Sequence, residues 1–351
     1  MERKIYPSLD IVKFVMALSI LGGHTANEWA HSTGLLHLAL GASNFAVPFF
    51  FACSGFLFFS KLSTLNSEEA NSYYKKWSIR VGKMYLVWSL IYFCFYFFGD
   101  WMVLGFPQEK ILNWLHRSLV FSTYATIWFL PALWGGVTIC FLLRRYCSKY
   151  LFWCIMAILL VIGNTFGAYS NIVTSEVPCL NSLYDWYMEV FITWRNAVFN
   201  GAPFVAVGAL ALERSHKVRI SSSILLLLTV VFCVLYLVEG YLIVTFKFGP
   251  ATDQGFMMLP AIYFMMLFLL QWEVKQIPLW THLRNLSMLI FLDQRLFLSA
   301  IPNDVLSKET TDAILNMPEW SIYLLFMSVV IIFSIIVERL SYKYKFLKIL
   351  W

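Results

Sequence analysis

Ten apolar segments, each close to the length that crosses a lipid bilayer, recur along the chain. A spanning helix needs roughly 20 mainly apolar residues. Segments that meet this requirement lie at residues 8–27, 44–60, 84–100, 122–143, 151–168, 196–212, 221–244, 256–272, 285–301 and 320–338. Charged residues make up only 13% of the chain, whereas they make up about a quarter of an ordinary soluble domain. The sequence therefore predicts an all-α, polytopic integral membrane protein with about ten transmembrane helices in a single domain over residues 1–351.

The lysines and arginines are distributed unevenly between alternate connections. Cytoplasmic connections of membrane proteins hold an excess of Lys and Arg. With the N-terminus inside, the inner connections hold most of the 26 basic residues. This distribution predicts cytoplasmic N- and C-termini. The expected location is the cytoplasmic (inner) membrane. The net charge of +6 is then a consequence of topology, and no nucleic-acid partner is expected.

The first predicted span contains several ionisable residues. Lys13 and His24 are 11 residues apart, which at about 100° per residue puts both side chains on one helix face, about 16 Å apart along the axis. Asp10 lies one turn before Lys13, and Glu28 lies one turn after His24. Ionisable groups inside a bilayer usually face a protein interior or a water-filled cavity. The alternative is that Lys13 snorkels to the headgroups and His24 hydrogen-bonds a neighbouring helix.

The stretch LDIVKFVMALSILGGH, residues 9–24, resembles the opening signature of the acyltransferase-3 family of membrane acyltransferases. In that signature a Leu-Asp pair is followed by a basic residue and, after ten intervening residues, by a histidine. Leu9, Asp10, Lys13 and His24 stand in this register. Three later segments are similar to further landmarks of the family, in the same order: VPFFFACSGFLFF (47–59), IWFLPALWGG (127–136) and FNGAPFVAVGALALE (199–213).

Two positions depart from the family pattern. Members often show two arginines just before the third helix, whereas this chain has Arg80, Gly82 and Lys83 in IRVGKMYLVW. Members also often show Tyr-x-x-His late in the chain. Here Gln294, between Asp293 and Arg295, stands at the place of that histidine. The Lys13–His24 pair is unaffected by either departure.

The resemblance implies transfer of an acyl group, most often acetyl from acetyl-CoA, to a hydroxyl of a carbohydrate. The expected acceptor is a cell-envelope polysaccharide or a lipid-linked saccharide, the site is surrounded by membrane lipids, and no metal is needed. His24 is the expected base, or the carrier of the acyl group. Glu28 would orient the imidazole or stabilise the imidazolium. A solvated acid at a helix end is the alternative for Glu28.

The donor carries phosphates and is made in the cytosol, so its site should be basic and cytoplasmic. The residues predicted to bind the donor are Lys13, Arg80 and Lys83. Lys75 and Lys76, beside them in sequence, are assigned to topology alone. For Arg80 and Lys83 topology is also the alternative interpretation.

Five further residues are predicted to contact the acceptor: Ser54, Arg195, Asp293, Gln294 and Arg295. Ser54, beside a glycine, would equally permit close helix packing. Arg195 would equally contact a lipid headgroup, and Asp293 and Arg295 would equally pair with other helices.

A proton-coupled transporter or flippase of a saccharide or lipid substrate is the main alternative function. In that interpretation the Lys13–His24 stripe is a proton or substrate relay. We found no paired interrupted helices in corresponding halves of the sequence, which such transporters commonly have. A receptor or structural membrane protein without turnover is a third hypothesis.

Overall fold

The computed structural model describes residues 6–29, 43–97, 105, 108–124, 126–215, 217, 219–249, 255–298 and 308–351. Every regular element in these ranges is helical, which confirms the predicted all-α class. Helices α1 to α5 are Pro7–Trp29, Ala46–Leu62, Ser67–Tyr96, Gln108–Val120 and Phe129–Tyr146. Helices α6 to α10 are Lys149–Phe166, Ser170–Glu176, Pro178–Phe191, Ala202–Ser215 and Ser222–Thr245. Helices α11 to α14 are Met258–Gln271, Leu279–Leu298, Lys308–Leu315 and Glu319–Lys343.

Each of the ten predicted spans overlaps a helix. Among the described residues, five helices are long and apolar enough to cross a membrane, and they correspond to α1, α5, α6, α10 and α14. Helices α2 and α11 are apolar but shorter. These helices support the predicted membrane character of the protein. The ten-span count and the cytoplasmic termini stay predictions.

Helix α3 begins well before the predicted span at residues 84–100, because Asn66 caps it. The Asn66 side-chain oxygen accepts hydrogen bonds from the backbone N–H groups of Glu68 and Glu69, at 3.1 and 2.9 Å. The Glu69 carboxylate in turn accepts from the Asn66 backbone N–H at 3.1 Å. This reciprocal arrangement is a capping box. It starts the helix at Ser67, in a polar segment that hydropathy alone assigns to a connection.

The helices form two compact units. Unit 1 comprises Met1–Ala46, Lys83–Ile111 and Val274–Trp351, and unit 2 comprises Val47–Gly82 and Leu112–Glu273. Unit 1 thus combines the first helix with the last helices of the chain, and it contains both Lys13 and His24.

In unit 1, α1 packs along α12, and α14 packs against both. The face that α1 buries includes Leu9, Ala17 and Leu21, each at most 1% exposed. Lys13 lies on this face between Leu9 and Ala17, and His24 follows Leu21 by three residues. The helical repeat therefore directs both polar side chains toward the interior of the unit.

Three of the packed helices in unit 1 run in the same direction. Asp10 of α1 lies beside Arg284 of α12, and His24 lies beside Gln294, so residue numbers increase together along both helices. Along α3, Tyr92 donates to the Leu292 carbonyl at 2.6 Å, and Tyr96 donates to the Arg295 carbonyl at 2.7 Å. Spans one, three and nine of the predicted topology require this common direction.

Helix α14 runs opposite to α12. Ser334 of α14 bonds Asp293, whereas Glu338, one turn later, bonds His282. Residue numbers therefore increase along one helix as they decrease along the other. The predicted alternation of spans nine and ten requires this antiparallel relation.

In unit 2, glycines allow helix backbones to approach closely. A Cβ at Gly55 of α2 would collide with the Val205 carbonyl of α9, and a Cβ at Gly208 of α9 would lie 2.6 Å from the Phe56 nitrogen of α2. A Cβ at Gly136 of α5 would lie 2.6 Å from the carbonyl carbon of Gly201. All three glycines come from the three later landmark segments, which therefore pack against one another.

Candidate functional site

The His24 imidazole is held by a buried amide. Nδ1 of His24 lies 3.1 Å from Oε1 of Gln294, and Gln294 is fully buried. Nε2 of Gln294 donates to the Phe291 carbonyl at 2.9 Å. Since a carbonyl only accepts, this second bond fixes the amide with its oxygen toward the imidazole, and Nδ1–H must be the donor. The neutral His24 ring then carries its lone pair on Nε2, the atom that a general base uses.

Lys13 belongs to a cluster of charged residues toward the N-terminal end of α1. Its ammonium lies 3.7 Å from Oδ1 of Asp10, and the Arg284 guanidinium lies 3.7 Å from Oδ2 of the same carboxylate. Lys13 is only 9% exposed. The interior of unit 1 therefore surrounds a side chain that snorkelling would direct to lipid headgroups.

Asp293 and Gln294 point to different neighbours, as adjacent residues of a helix must. Oδ2 of Asp293 accepts from the Ser334 hydroxyl of α14 at 2.8 Å. Its Oδ1 atom is buried and has no hydrogen-bond partner among the described residues. The Asp293–Ser334 contact matches the structural alternative, whereas Gln294 contacts the predicted base. Arg295 is half-buried, and its carbonyl accepts from Tyr96.

Glu28 lies on α1 one turn after His24, since the helix continues to Trp29. Its side chain lies outside the described residues. At Nδ1 of His24, the orienting contact that the hydrolase-triad comparison led us to expect from Glu28 is made by Gln294.

The other predicted site residues lie elsewhere on the described helices. Arg80 and Lys83 are exposed and one turn apart on α3. Ser54 is half-buried beside the close α2–α9 approach, in agreement with the packing alternative. Arg195 is exposed and precedes a π-helical turn at Ala197–Gly201. Ser54, Arg80 and Arg195 belong to unit 2, whereas Lys83 belongs to unit 1.

A second histidine of unit 1 bonds a carboxylate. His282 Nδ1 lies 3.0 Å from Oε1 of Glu338, which is 2% exposed. The same oxygen accepts from the Tyr342 hydroxyl at 3.0 Å and from the Asn285 amide at 3.3 Å. This cluster is not visible in the sequence, because His282 and Asn285 are more than 50 positions from Glu338. The signal that could have indicated it is the acid near the end of the last span.

Glu239, an acid inside the seventh predicted span, was also missed. Its carboxylate accepts from the Tyr169 hydroxyl at 2.6 Å and from the backbone N–H groups of Phe256 and Met257 at 2.7 and 2.9 Å. These two N–H groups immediately precede α11, so Glu239 satisfies donors at the start of that helix. The residue thus has a structural role in unit 2.

Glu213, the last residue of the landmark segment at 199–213, links its own helix α9 to α5 and α6 in unit 2. Its carboxylate accepts from Arg144 at 2.7 Å and from Lys149 at 2.8 Å. Partial burial raises the pKa of Glu213, but the bonds and charges of Lys149 and Arg144 outweigh burial and hold this pKa below its usual value.

Comparison with known families decides the class of the protein. A family model described as an acyltransferase domain, of the acyltransferase-3 type, matches residues 6–339. The chain belongs to the acyltransferase-3 family. The matched range includes Lys13, His24 and Gln294, and it confirms the family that the first-helix signature indicated.

Curated relatives of this family member are much longer proteins. Two proteins of Enterococcus faecalis, each named amino-acid racemase, are 28% and 29% identical over 62% and 66% of the chain. The serine/alanine racemase of Enterococcus gallinarum is 23% identical over 81% of the chain. The matched regions make up 30%, 32% and 40% of these relatives, so the chain spans only about a third of their length. No solved structure matches the chain.

Proposed function

We propose that the protein is an acyl-CoA-dependent O-acyltransferase of the cytoplasmic membrane. It moves an acyl group, most often acetyl, to a hydroxyl of a cell-envelope polysaccharide or a lipid-linked saccharide. The family supports acyl transfer, and the apolar helices support the membrane location. The observation that carries the mechanism is the Gln294–His24 hydrogen bond, because it fixes the tautomer that leaves Nε2 basic.

A sugar hydroxyl is a weak nucleophile until a base removes its proton. His24 Nε2 accepts that proton as the hydroxyl oxygen forms a bond to the thioester carbonyl carbon. The carbon–sulfur bond then breaks, and the imidazolium returns the proton to the CoA thiolate. Glu28, one turn further along α1, would stabilise the imidazolium while the proton is held.

A second route uses the same nitrogen as a nucleophile. Nε2 attacks the thioester carbonyl carbon, the carbon–sulfur bond breaks, and CoA leaves as the thiolate with the acyl group on Nε2. The acceptor hydroxyl oxygen then bonds to the acyl carbon, the carbon–Nε2 bond breaks, and the hydroxyl proton passes through Nε2 to the CoA thiolate. The first route leaves no label on the protein, whereas this route does.

Lys13 is proposed to bind the donor. It lies about 16 Å from His24 along α1, a length that one extended CoA molecule covers from phosphate to thioester. Arg80 and Lys83, exposed on α3, keep the donor role that the family resemblance implies. The acceptor roles of Ser54, Arg195, Asp293 and Arg295 stay predictions from the sequence, each for its own unit, and Gln294 becomes a positioning residue.

The racemase names of the relatives are not carried over to this chain. Those names describe proteins of which the chain matches 40% or less. The family model that covers residues 6–339 describes an acyltransferase domain, and we propose acyl transfer for that reason.

The direct test is turnover of labelled acetyl-CoA by the purified protein in maltoside micelles, with a cell-envelope glycan fraction as acceptor. His24→Ala should lose about 10²–10⁴-fold in thiol release if His24 is the base. The control is His116→Ala, because His116 is exposed on α4. Label on His24 in an acceptor-free reaction would identify the second route. Near-normal turnover by a folded His24→Ala protein would contradict the mechanism.

A further inference from the structure

Two cations share one carboxylate toward the N-terminal end of α1. Lys13 and Arg284 each lie 3.7 Å from a different oxygen of Asp10. Among the described residues, Asp10 is the acid that lies within ion-pair distance of either cation. With one negative and two positive groups, the cluster carries a surplus positive charge.

Two of the three side chains in this cluster are largely shielded from solvent. Lys13 is 9% exposed and Asp10 is 4% exposed, while the Arg284 side chain is 28% exposed. A buried charge without a counter-charge is strongly unfavourable even after relaxation. The 3.7 Å separations also exceed the roughly 2.7–2.9 Å of a direct charge-assisted hydrogen bond. Neither cation is therefore closed onto Asp10, and both keep donor groups available to an anion.

The helix ends strengthen the positive potential. Helices α1 and α12 run in the same direction, so both N-termini lie at the end of unit 1 where Asp10 meets Arg284. Each helix N-terminus is equivalent to roughly half a positive charge. The cluster lies close to both ends, since Asp10 is in the first turn of α1 and Arg284 is the sixth residue of α12.

We propose that Arg284 and Lys13, spaced by Asp10, bind a phosphate group of the acyl-CoA donor. The guanidinium holds two phosphate oxygens, and the ammonium supplies a compact charge beside it. Asp10 is a positioning residue that keeps the two cations apart. This inference rests on the proposed function, and it assigns a binding role to Arg284, a residue outside the set predicted from the sequence to bind the donor.

The test measures binding of acetyl-CoA and of inorganic pyrophosphate by calorimetry in phosphate-free maltoside micelles. Arg284→Gln should weaken both by about tenfold or more, since a hydrogen bond to a charged group contributes about 1.5–3 kcal/mol. Arg284→Lys should recover part of the affinity. Arg339→Gln is the matched control, because Arg339 is exposed on α14 and should bind both probes as the wild type does.

The outcomes separate this inference from the proposed function. Wild-type affinity for both probes in a folded Arg284→Gln protein would overturn the phosphate site and leave acyl transfer intact. Arg284-dependent binding of pyrophosphate without binding of acetyl-CoA would support the phosphate site and contradict the proposed donor. A lipid phosphate is the other source of this chemistry. In one outcome, the wild type binds acetyl-CoA in micelles but binds it no better than Arg284→Gln does in phosphatidylglycerol nanodiscs. That result would assign the site to a lipid headgroup and overturn our choice of ligand.

Discussion

Gln294 Oε1 accepts a hydrogen bond from His24 Nδ1 across 3.1 Å, although the two residues are 270 positions apart in the chain. In hydrolase triads a carboxylate makes this contact. An amide fixes the same tautomer without adding a negative charge beside the ring. Gln294 therefore orients the base but cannot form an ion pair with the imidazolium.

Changing the charge at Gln294 should change the pH dependence of turnover. In Gln294→Glu, the new carboxylate favours the protonated imidazole, so the acid limb of the kcat/KM profile should move to higher pH. Gln294→Leu should lower kcat by at least about tenfold without such a shift, because the ring loses its orientation. Gln276→Leu is the control, because Gln276 is exposed. An unshifted pH profile in Gln294→Glu together with a wild-type kcat in Gln294→Leu would remove Gln294 from the mechanism.

Substitutions of Lys13 distinguish donor binding from a lipid anchor. Lys13→Arg keeps the positive charge and should retain much of the affinity for acetyl-CoA. Lys13→Met keeps an apolar stem of similar length and should lose that affinity, measured by equilibrium binding in micelles. A snorkelling lysine would give the opposite result, since methionine in a span is tolerated or stabilising.

The close approach of α2 and α9 predicts that alanine substitutions at two glycines change the free energy of unfolding by very different amounts. Gly208→Ala places a methyl group against backbone atoms of Ala52 and Phe56, which cannot move aside singly. It should lower the free energy of unfolding by about 1–3 kcal/mol or more. Gly82→Ala would only meet the Trp134 ring at 3.6 Å and should be neutral or slightly stabilising. Thermal unfolding of both variants in the same detergent checks this. Equal melting temperatures would contradict the close approach of α2 and α9.

Glu338 should contribute to the stability of unit 1. Three donors converge on its Oε1 atom, so Glu338→Gln weakens each bond and leaves the buried group poorly matched. We expect a loss of about 1–3 kcal/mol in unfolding free energy, measured by denaturant or heat. Glu273→Gln, at an exposed glutamate, is the control. A loss no greater than that of the control would show that the cluster is dispensable for folding.

The ion pairs of Glu213 predict a pH-dependent contribution to stability. Its pKa is lowered in the folded state, so the contribution is complete above the unfolded value of about 4.5 and is lost as the pH falls through the folded pKa. At neutral pH the wild type should exceed Glu213→Gln by at most about 1 kcal/mol, since the pairs are partly exposed. The difference should disappear in acid. A constant difference between pH 7 and pH 3 would exclude ionic stabilisation.

The helices and the first-helix stripe could be predicted because their signals are local. Hydropathy locates apolar helices, and an 11-residue spacing places Lys13 and His24 on one face. The partners of these residues could not be predicted in the same way. Gln294 and Arg284 meet α1 only through tertiary packing, and Gln294 stands where the family pattern suggests a histidine.

The glycine contacts have a similar explanation. The landmark segments containing Gly55, Gly136 and Gly208 helped to indicate the family. The structure shows why each segment has a glycine there: a Cβ would collide with a neighbouring backbone. Each glycine matters because of a backbone atom contributed by a distant helix. Periodicity along one segment carries no information about that atom, so the sequence alone assigned Ser54 equally to packing or to a ligand.

The distance in sequence between His24 and Gln294 has a consequence for biosynthesis. At translation rates of about 5–20 residues per second, Gln294 is made roughly 15 to 50 s after His24. During that interval α1 must stay in the bilayer without Arg284 or Gln294. The Asp10–Lys13 contact joins residues three apart on one helix, so it is available as soon as that helix forms. This local pair can lower the cost of inserting two charges in the first span until the last helices arrive. Asp10 would then act first as a partner for Lys13 during insertion and only later as the spacer between Lys13 and Arg284.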